Sequence, residues 1–307
     1  MNRAIRIHNY GDADVVRIDQ VPLPQAAAGE VVVRVRAAGV NPLDWKIRDG
    51  LMRDAFPLPL PATLGIELAG EVSEVGAGVT AFQVGDRVMG PLAGVGAYAD
   101  HVAVAANKLT LTPADLDDVH AAAIPIAALT AWQALFDAGE LKRGQTVLIH
   151  GAAGAVGSFA VQFARRIGAR VVTTAQGVNA GYLHALGADE VIDYRTTEFW
   201  KATRDIDLVL DLVGGTALTH SWQLLADNGR IVSTAAPEIM AKTPNGKQGI
   251  WFQMRPDADK LAEIANLVAR GDLSVEVSEI ADFAETGAVM ERNKTGHGPG
   301  KAVITFG

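Results

Sequence analysis

The chain of 307 residues contains no cysteine. This absence excludes disulfide bonds, thiolate nucleophiles and zinc sites with cysteine ligands, and it is consistent with a reducing compartment. The first six residues (MNRAIR) lack the apolar core of a signal peptide, and no uncharged apolar run approaches the ~18 residues that a membrane span needs. We therefore expect a cytoplasmic protein that makes no contact with a membrane.

An excess of basic residues is also absent. The chain has 27 Lys and Arg against 35 Asp and Glu, which gives a formal net charge of −8. A net negative chain has no electrostatic reason to bind nucleic acid through its phosphates, so RNA or DNA binding is not expected. Hydrophobic residues make up 49% of the chain and charged residues 20%, which is typical of a globular protein with a core.

The first ~120 residues are predicted to be rich in β-strands, because apolar and polar residues alternate in short runs between glycines and prolines. Strands are predicted at residues 30–37, 67–75 and 86–89. Short strands that alternate with turns indicate a compact, barrel-like domain.

From about residue 115 onwards, predicted strands alternate with predicted helices. This alternation indicates a parallel sheet covered by helices, and six strands make a full dinucleotide-binding sheet. The final segment, from Ser274, ends in a predicted strand at 302–306 that we expect to return to the first domain. Strands are predicted at 146–150, 170–174, 190–193, 207–211, 229–233 and 250–254, and helices at 117–124, 127–138, 156–167, 180–186, 216–225 and 259–270.

A glycine-rich loop is the strongest local motif. An apolar strand leads into Gly151, Gly154 and Gly157 and then into an apolar-periodic helix. The spacing is GxxGxxG rather than the usual GxGxxG, but both allow a sharp turn and a close approach of the main chain to a diphosphate. Helix N-terminal N–H groups then bind the anionic oxygens. We interpret Gly151, Ala152, Ala153, Gly154, Ala155, Val156 and Gly157 as cofactor-binding.

The choice between NAD and NADP depends on the end of the second strand of this sheet. NAD-binding proteins usually have an acidic residue there, which binds the ribose 2′-hydroxyl and would repel a 2′-phosphate. Residues 171–176 (VVTTAQ) contain no Asp or Glu, whereas Thr174, Gln176 and Asn179 have polar groups for phosphate oxygens and Arg195 has a positive charge. These residues favour NADPH, and a weakly selective site is the alternative.

Seven short motifs together resemble the zinc-independent quinone oxidoreductases of the medium-chain dehydrogenase/reductase superfamily, over nearly the whole chain. Each is weak alone, but their order and spacing are specific. They are residues 38–46 (AGVNPLDWK), 64–70 (LGIELAG), 84–88 (VGDRV), 129–132 (LTAW), 152–157 (AAGAVG), 186–189 (LGAD) and 298–301 (GPGK).

The resemblance implies an α/β protein in which a Rossmann dinucleotide-binding domain, residues 122–271, is inserted in a GroES-like β-barrel catalytic domain, residues 1–121 and 272–307. It also implies a cleft between the domains for nicotinamide and substrate. A homodimer is common in the family, often through the strand near residues 250–254.

Zinc-dependent relatives have a cysteine in place of Asn41 and a histidine in place of Ile66, so both ligands are missing here. Oxidation of an alcohol needs a Lewis acid to stabilise the alkoxide. Reduction of a conjugated carbonyl instead produces a delocalised enolate or hydroquinone anion. We therefore expect NADPH-dependent, zinc-free reduction of a quinone or an α,β-unsaturated carbonyl.

Further site residues follow from this resemblance. Asn41 is expected to bind a substrate carbonyl or a ribose hydroxyl, and Lys46 to polarise the carbonyl or relay a proton. The apolar substrate wall is assigned to Trp45, Trp251 and Phe252. Further cofactor contacts are assigned to Thr130, Val213, Ala235, Lys301 and Tyr194, the last by stacking on adenine.

Each of these residues also has a structural interpretation, for example a turn for Asn41, an ion pair for Lys46, and the core or a dimer interface for Trp251 and Phe252. Two alternative functions also stay open. One is a 2-enoyl thioester reductase, and the other is a sensor or structural protein that binds NADPH without catalysis.

Overall fold

A computed structural model describes residues 1–296 and 298–307. The chain forms two compact units, residues 1–126 with 256–307, and residues 127–255. Within the described ranges, no helix has the length and apolar character needed to cross a membrane.

The strands of the described residues are β1 (Asn2–Ile7), β2 (Val16–Val21), β3 (Glu30–Val40), β4 (Ala62–Thr63), β5 (Glu67–Val75), β6 (Arg87–Pro91), β7 (His101–Ala105), β8 (Thr110–Leu111), β9 (Thr146–His150), β10 (Arg170–Ala175), β11 (Glu190–Asp193), β12 (Ile206–Asp211), β13 (Leu225–Ser233), β14 (Gln248–Trp251), β15 (Val277–Asp282) and β16 (Lys301–Thr305). The helices are α1 (Pro42–Arg48), α2 (Asp118–Ala122), α3 (Pro125–Trp132), α4 (Ala155–Ile167), α5 (Ala180–Leu186), α6 (Phe199–Ala202), α7 (Gly215–Ser221), α8 (Ile239–Lys242), α9 (Ala258–Ala269) and α10 (Thr286–Thr295), with a π-helical turn at Gln133–Ala138 after α3.

The first unit contains a seven-stranded sheet and a three-stranded sheet. The larger sheet has the order β15-β16-β3-β5-β6-β8, with β7 also paired to β3, and the smaller one has the order β2-β1-β4. Strand β16 pairs antiparallel with β3, so that Ala302 lies opposite Val40. The prediction that the C-terminal strand returns to the first domain is therefore confirmed.

The second unit has one parallel sheet of six strands in the order β11-β10-β9-β12-β13-β14. The predicted α/β arrangement is confirmed. Because all six strands are parallel, their carboxyl ends meet at one edge of the sheet. The chain order reverses between β9 and β12, so the loops that follow these two strands diverge there. In open α/β sheets, such a point is where ligands bind.

Several elements differ from the sequence-based expectations, and three helices illustrate the differences. Helix α9 was expected in the Rossmann domain, but it lies in the first unit, where it contacts β8. Helices α1 and α10 were not predicted. Helix α1 has only two turns and follows β3 after a single residue, and α10 has a mostly polar sequence with a narrow buried face.

Helix α1 begins with a buried carboxylate. Asp44 Oδ2 accepts a hydrogen bond from the main-chain N–H of Asn41 at 2.7 Å, which caps the helix, and another from the Tyr98 hydroxyl at 2.9 Å. Its second oxygen, Oδ1, is buried without a hydrogen-bond partner among the described residues. Burial raises the pKa of Asp44 to about 7, against the opposing effect of these hydrogen bonds.

We expect Asp44→Asn to change the pH dependence of stability. The folded-state pKa of Asp44 lies above the unfolded value, so the native state keeps a proton that the unfolded chain releases as the pH rises from about 4. The contribution of Asp44 to the free energy of unfolding of the wild type therefore falls as the pH rises from about 4, and it levels off above about pH 7. Relative to wild type, the free energy of unfolding of the variant should gain on the order of 1–3 kcal/mol between pH 5 and pH 8, measured by urea denaturation.

The exposed residue Asp54 provides a matched control, because Asp54→Asn makes the same chemical change at the surface. Its stability curve should stay parallel to that of wild type. A parallel curve for Asp44→Asn would contradict the raised pKa of Asp44.

Candidate active site

The loop between β9 and α4 has room for main chain only. Gly151 has a φ of +72°, a conformation that favours glycine. At Gly157, an added side-chain carbon would lie 2.5 Å from the Cα atom of Ala152, so any other residue would force the helix away from the loop. The two glycines thus hold the start of α4 directly behind the turn at the end of β9.

The N-terminus of α4 has no side-chain cap. Its N-cap residue is Gly154, and no side chain among the described residues accepts a capping hydrogen bond there. The first N–H groups of a helix have no partner within the helix, and together with the helix dipole they attract an anion. Because α4 is 13 residues long and buries Phe159 and Phe163, this helix end has a rigid support.

Four buried polar residues lie in register at the carboxyl edge of the sheet. Thr174 of β10 pairs with His150 of β9, which pairs with Asp211 of β12, which pairs with Ser233 of β13. Each of the four residues is at most 5% exposed. Residues in register on neighbouring parallel strands project to the same face, so these side chains form one polar row.

His150 is neutral because burial lowers its pKa to about 4, despite the opposing charge of Asp211. Its Nε2 lies 2.8 Å from Ser221 Oγ, whose only proton is donated to the carbonyl of Ala217 at 2.7 Å. The network therefore assigns the ring proton to Nε2, and Nδ1 accepts from Thr174 Oγ1 at 2.7 Å.

This assignment affects the expected role of Thr174. Its hydroxyl has one proton, which is donated to His150. The hydroxyl can still accept hydrogen bonds, but it has no second proton to donate to a phosphate oxygen. The interpretation of Thr174 as a phosphate contact stays a prediction, and in this structure its hydroxyl is engaged by a buried histidine that the sequence did not connect to it.

Asp211 and Ser233 fix the main chain of two loops. Asp211 Oδ1 accepts from the N–H groups of Val213 at 3.1 Å and Gly214 at 2.8 Å, and its Oδ2 accepts from Ser233 Oγ at 2.6 Å. Ser233 Oγ in turn accepts from the N–H groups of Ala235 at 3.2 Å and Ala236 at 3.1 Å. The loops that contain Val213 and Ala235, both expected at the nicotinamide, are thereby held by one buried pair.

Neither Asp211 nor Ser233 was singled out from the sequence. The available signal was a carboxylate and a hydroxyl at the last position of two buried strands, each just before a turn. Such residues bind the N–H groups two and three positions later, so this pattern predicts a loop-fixing role.

Five other predicted residues of the second unit lie in varied surroundings. Thr130 is buried on α3, and Asn179 is half-buried in the turn after β10. Tyr194 follows β11 and is 51% exposed, which leaves its ring free on one side. Trp251 ends the edge strand β14 and packs against the core of this unit, and Phe252 follows it.

A buried polar cluster lies at the end of β3 in the first unit. Asn41 Nδ2 donates to Glu67 Oε1 at 2.8 Å, and Lys301 Nζ lies 2.5 Å from both Asn41 Oδ1 and Glu67 Oε1. Glu67 Oε2 accepts from the main-chain N–H of Ile126 at 2.7 Å. The predicted site residues Asn41 and Lys301 are therefore brought together, around a carboxylate that belongs to neither prediction.

Lys301 is part of a buried ion pair in this cluster. Its side chain is 4% exposed, and its charge is balanced by the fully buried Glu67. A contact between Lys301 and a cofactor stays a prediction, since the ammonium group already has two acceptors.

The same residues do not fit a zinc ion. The side chain of Ile66 has no ligand atom, the amide oxygen and one amide N–H of Asn41 are engaged within the cluster, and both oxygens of Glu67 are engaged. The ammonium of Lys301 supplies the positive charge next to Glu67, where a metal ion would be repelled.

Lys46 and Trp45 lie next to each other on α1, and both are half-buried. The Nζ atom of Lys46 is 5.6 Å from the centre of the Trp45 ring, and that of Lys294 is 5.8 Å from it. Both ammonium groups are thus within the distance at which a cation is attracted to the face of the Trp45 ring.

Comparison with known proteins agrees with both units. Residues 27–114 match the alcohol dehydrogenase GroES-like domain, and residues 186–304 match the zinc-binding dehydrogenase family. A chloroplast envelope quinone oxidoreductase homolog from Arabidopsis thaliana is 33% identical, over 98% of this chain and 97% of the relative.

Two solved structures show the same fold over the whole chain. The quinone oxidoreductase from Coxiella burnetii has a TM-score of 0.93 and 32% identity, and it covers 100% of this chain and 99% of its own. The quinone oxidoreductase from Escherichia coli, solved in complex with NADPH, has a TM-score of 0.89 and 27% identity, with complete coverage of both chains. The predicted GroES-like and Rossmann folds are thus confirmed, and the chain belongs to the quinone oxidoreductase family of the medium-chain dehydrogenase/reductase superfamily.

Proposed function

We propose that this oxidoreductase uses NADPH to reduce a quinone or an α,β-unsaturated carbonyl, without zinc. The observation that carries the proposal is the uncapped N-terminus of α4 behind the turn at Gly151–Gly157. A diphosphate is the anion that this arrangement of main-chain N–H groups binds in Rossmann folds. Relatives of the chain support the nicotinamide assignment, since one of them was solved with NADPH.

The residues of the second unit fit a dinucleotide. Residues 151–157 would hold its diphosphate, and the loops fixed by Asp211 and Ser233 would present their main chain to the nicotinamide. Asn179, Tyr194 and Arg195 would contact the adenosine half. When bound, the dihydronicotinamide supplies a hydride.

Asn41 would orient the substrate in the first unit. Of its two side-chain N–H groups, one donates to Glu67 at 2.8 Å and the other makes only a long contact of 3.5 Å with the carbonyl of Gly39. The second N–H is therefore available to a carbonyl oxygen, where it would stabilise the negative charge that develops during hydride addition. Lys46 would hold a proton for the resulting enolate or hydroquinone anion.

The hydride acceptor follows from the charge that the site has to stabilise. An alkoxide is localised and is stabilised strongly by a metal ion, whereas an enolate or hydroquinone anion is delocalised and is stabilised by hydrogen bonds. Asn41, Glu67 and Lys301 do not fit a metal ion but leave one N–H for such a bond.

We also propose a cytoplasmic homodimer, paired through the edge strand β14.

Cofactor binding and substrate range test this proposal first. We expect NADPH to bind severalfold tighter than NADH, and to be oxidised by some quinones or conjugated carbonyls in a panel monitored at the absorbance of the dihydronicotinamide. Turnover of 2-enoyl thioesters alone would favour the thioester reductase. Tight binding without turnover across the panel would favour a sensor, and equal affinity for the two dinucleotides would remove the NADPH assignment.

Removal of metal ions tests the zinc-free part separately. We expect dialysis against a chelator to leave kcat unchanged, because the residues around Asn41 offer no ligand set for zinc. The control is a zinc-dependent alcohol dehydrogenase, which the same treatment should inactivate. Activity that is lost with the chelator and regained with zinc would contradict the proposal.

Asn41→Ala tests the substrate contact. Loss of one hydrogen bond to a developing charge should lower kcat/KM about tenfold, while NADPH affinity stays unchanged. The fold should persist with a slightly lower melting temperature, since Glu67 and Lys301 still pair directly at 2.5 Å. Asn266→Ala, on the exposed face of α9, is the matched control. Wild-type kinetics for Asn41→Ala would make Asn41 a structural residue only.

A further inference from the structure

The carboxylate of Asp193, on strand β11, lies beside the end of the neighbouring strand β10. Residues 174–181 contain no acidic residue, but β10 pairs with β11 so that Ala175 lies opposite Asp193. In Rossmann folds the ribose of the adenosine half lies at the end of this second strand. Asp193 is therefore at the position in space, though not in sequence, where an acidic residue selects NAD.

The carboxylate lies directly beside the turn that follows β10. A side-chain carbon placed on Gly177 would be 2.6 Å from Asp193 Oδ2 and 3.3 Å from its Cγ atom. Since Gly177 has no side chain, nothing from that residue separates the carboxylate from the turn. The turn at Gly177–Asn179 and the end of β11 thus enclose the same small region.

The two oxygens of Asp193 are used differently. Oδ1 accepts from the main-chain N–H of Arg195 at 3.0 Å, which fixes the orientation of the carboxylate. Among the described residues, no donor bonds Oδ2, and Asp193 is only half-buried. One oriented oxygen is therefore free to accept a hydrogen bond from a ligand hydroxyl.

A positive charge lies close in the chain to this carboxylate. Arg195 is exposed, two residues after Asp193, and no acidic side chain pairs with it among the described residues. A guanidinium attracts a phosphate and a carboxylate repels it. The two residues thus have opposite effects on a dinucleotide that bears a 2′-phosphate.

We propose that Asp193 is a specificity-determining residue of the cofactor site, whose carboxylate beside Gly177 accepts the 2′-hydroxyl of NADH and repels the 2′-phosphate of NADPH. It thereby limits the preference for NADPH that Arg195 and Asn179 favour. The inference rests on the proposed function only in that a dinucleotide binds at the α4 loop. It does not depend on which dinucleotide the wild-type protein prefers.

The test compares kcat/KM for NADPH with kcat/KM for NADH, at fixed ionic strength and a fixed quinone concentration. Asp193→Asn keeps an oxygen for the Arg195 N–H and removes the charge. We expect the NADPH-to-NADH ratio to rise about fivefold to tenfold, mainly through KM, and the gain to shrink at high salt. Asp193→Ser, which also keeps an acceptor, should show the same direction and serves if the amide variant does not fold.

Two further variants make the comparison specific. Glu190→Gln removes one negative charge from the opposite end of the same strand, about 10 Å away at the strand rise, and should leave the ratio within twofold of wild type. Arg195→Gln should lower the ratio, because it removes the attraction for the 2′-phosphate.

A ratio in Asp193→Asn and Asp193→Ser no different from that in Glu190→Gln would overturn the inference. If wild type prefers NADH but these variants still shift the ratio towards NADPH, the inference holds and only the NADPH assignment fails. If neither dinucleotide binds any variant or the wild type by fluorescence titration, both the inference and the proposed function are wrong.

Discussion

The contact between the main chain of Ala152 and Gly157 is the constraint on which the second unit depends. At this point the helix that follows β9 approaches the end of its own strand so closely that no side chain fits. The approach directs the first N–H groups of α4 into the turn, where no described side chain caps them. An anion is then the natural partner of these groups, because buried or half-buried N–H donors without acceptors are costly. The same constraint explains why the loop tolerates the unusual GxxGxxG spacing, since the third glycine, and not the spacing of the first two, allows the helix to pack.

The buried polar groups of the two units differ in how completely they are hydrogen-bonded. Asp211 and Ser233 use all of their acceptors on main-chain N–H groups and on each other, so they fix loops and have little left for chemistry. Asp44 is different, because one of its oxygens is buried without a donor from the part of the chain that the structure describes, and burial raises its pKa to about 7. It holds α1 at the cost of an incompletely satisfied carboxyl group. The position of Asn41 therefore depends on Asp44 as well as on Glu67.

The sequence predicts the fold of this protein better than it predicts the site. Long apolar strands and the 3.6-residue periodicity of α4 and α9 depend on local burial, and they identify all six strands of the parallel sheet, although the bounds of β13 and β14 differ by two to four residues. Helix α10 was not predicted because only one narrow side of it is buried, so its sequence lacks a clear apolar periodicity. In the site, Asn41 and the glycine loop are recognisable because their motifs are local. Thr174 contacts His150, which is 24 positions away in the chain, and Lys301 contacts Glu67, which is 234 positions away. No spacing rule connects residues so far apart.

The pair of Lys301 and Glu67 gives a physical reason for keeping an acidic residue where the zinc-dependent relatives have their metal motif. A fully buried carboxylate without a neighbouring positive charge would be strongly destabilising. In this chain the ammonium of Lys301 lies 2.5 Å from Glu67 Oε1. The amide of Asn41 bridges both charges, so its orientation is set by the pair rather than by a metal ion. The ammonium of Lys301, which β16 brings from the far end of the chain, thus balances the buried charge of Glu67. The remaining N–H of Asn41 makes only a long contact with the carbonyl of Gly39, so in the proposed function this oriented donor is the group available to a substrate carbonyl.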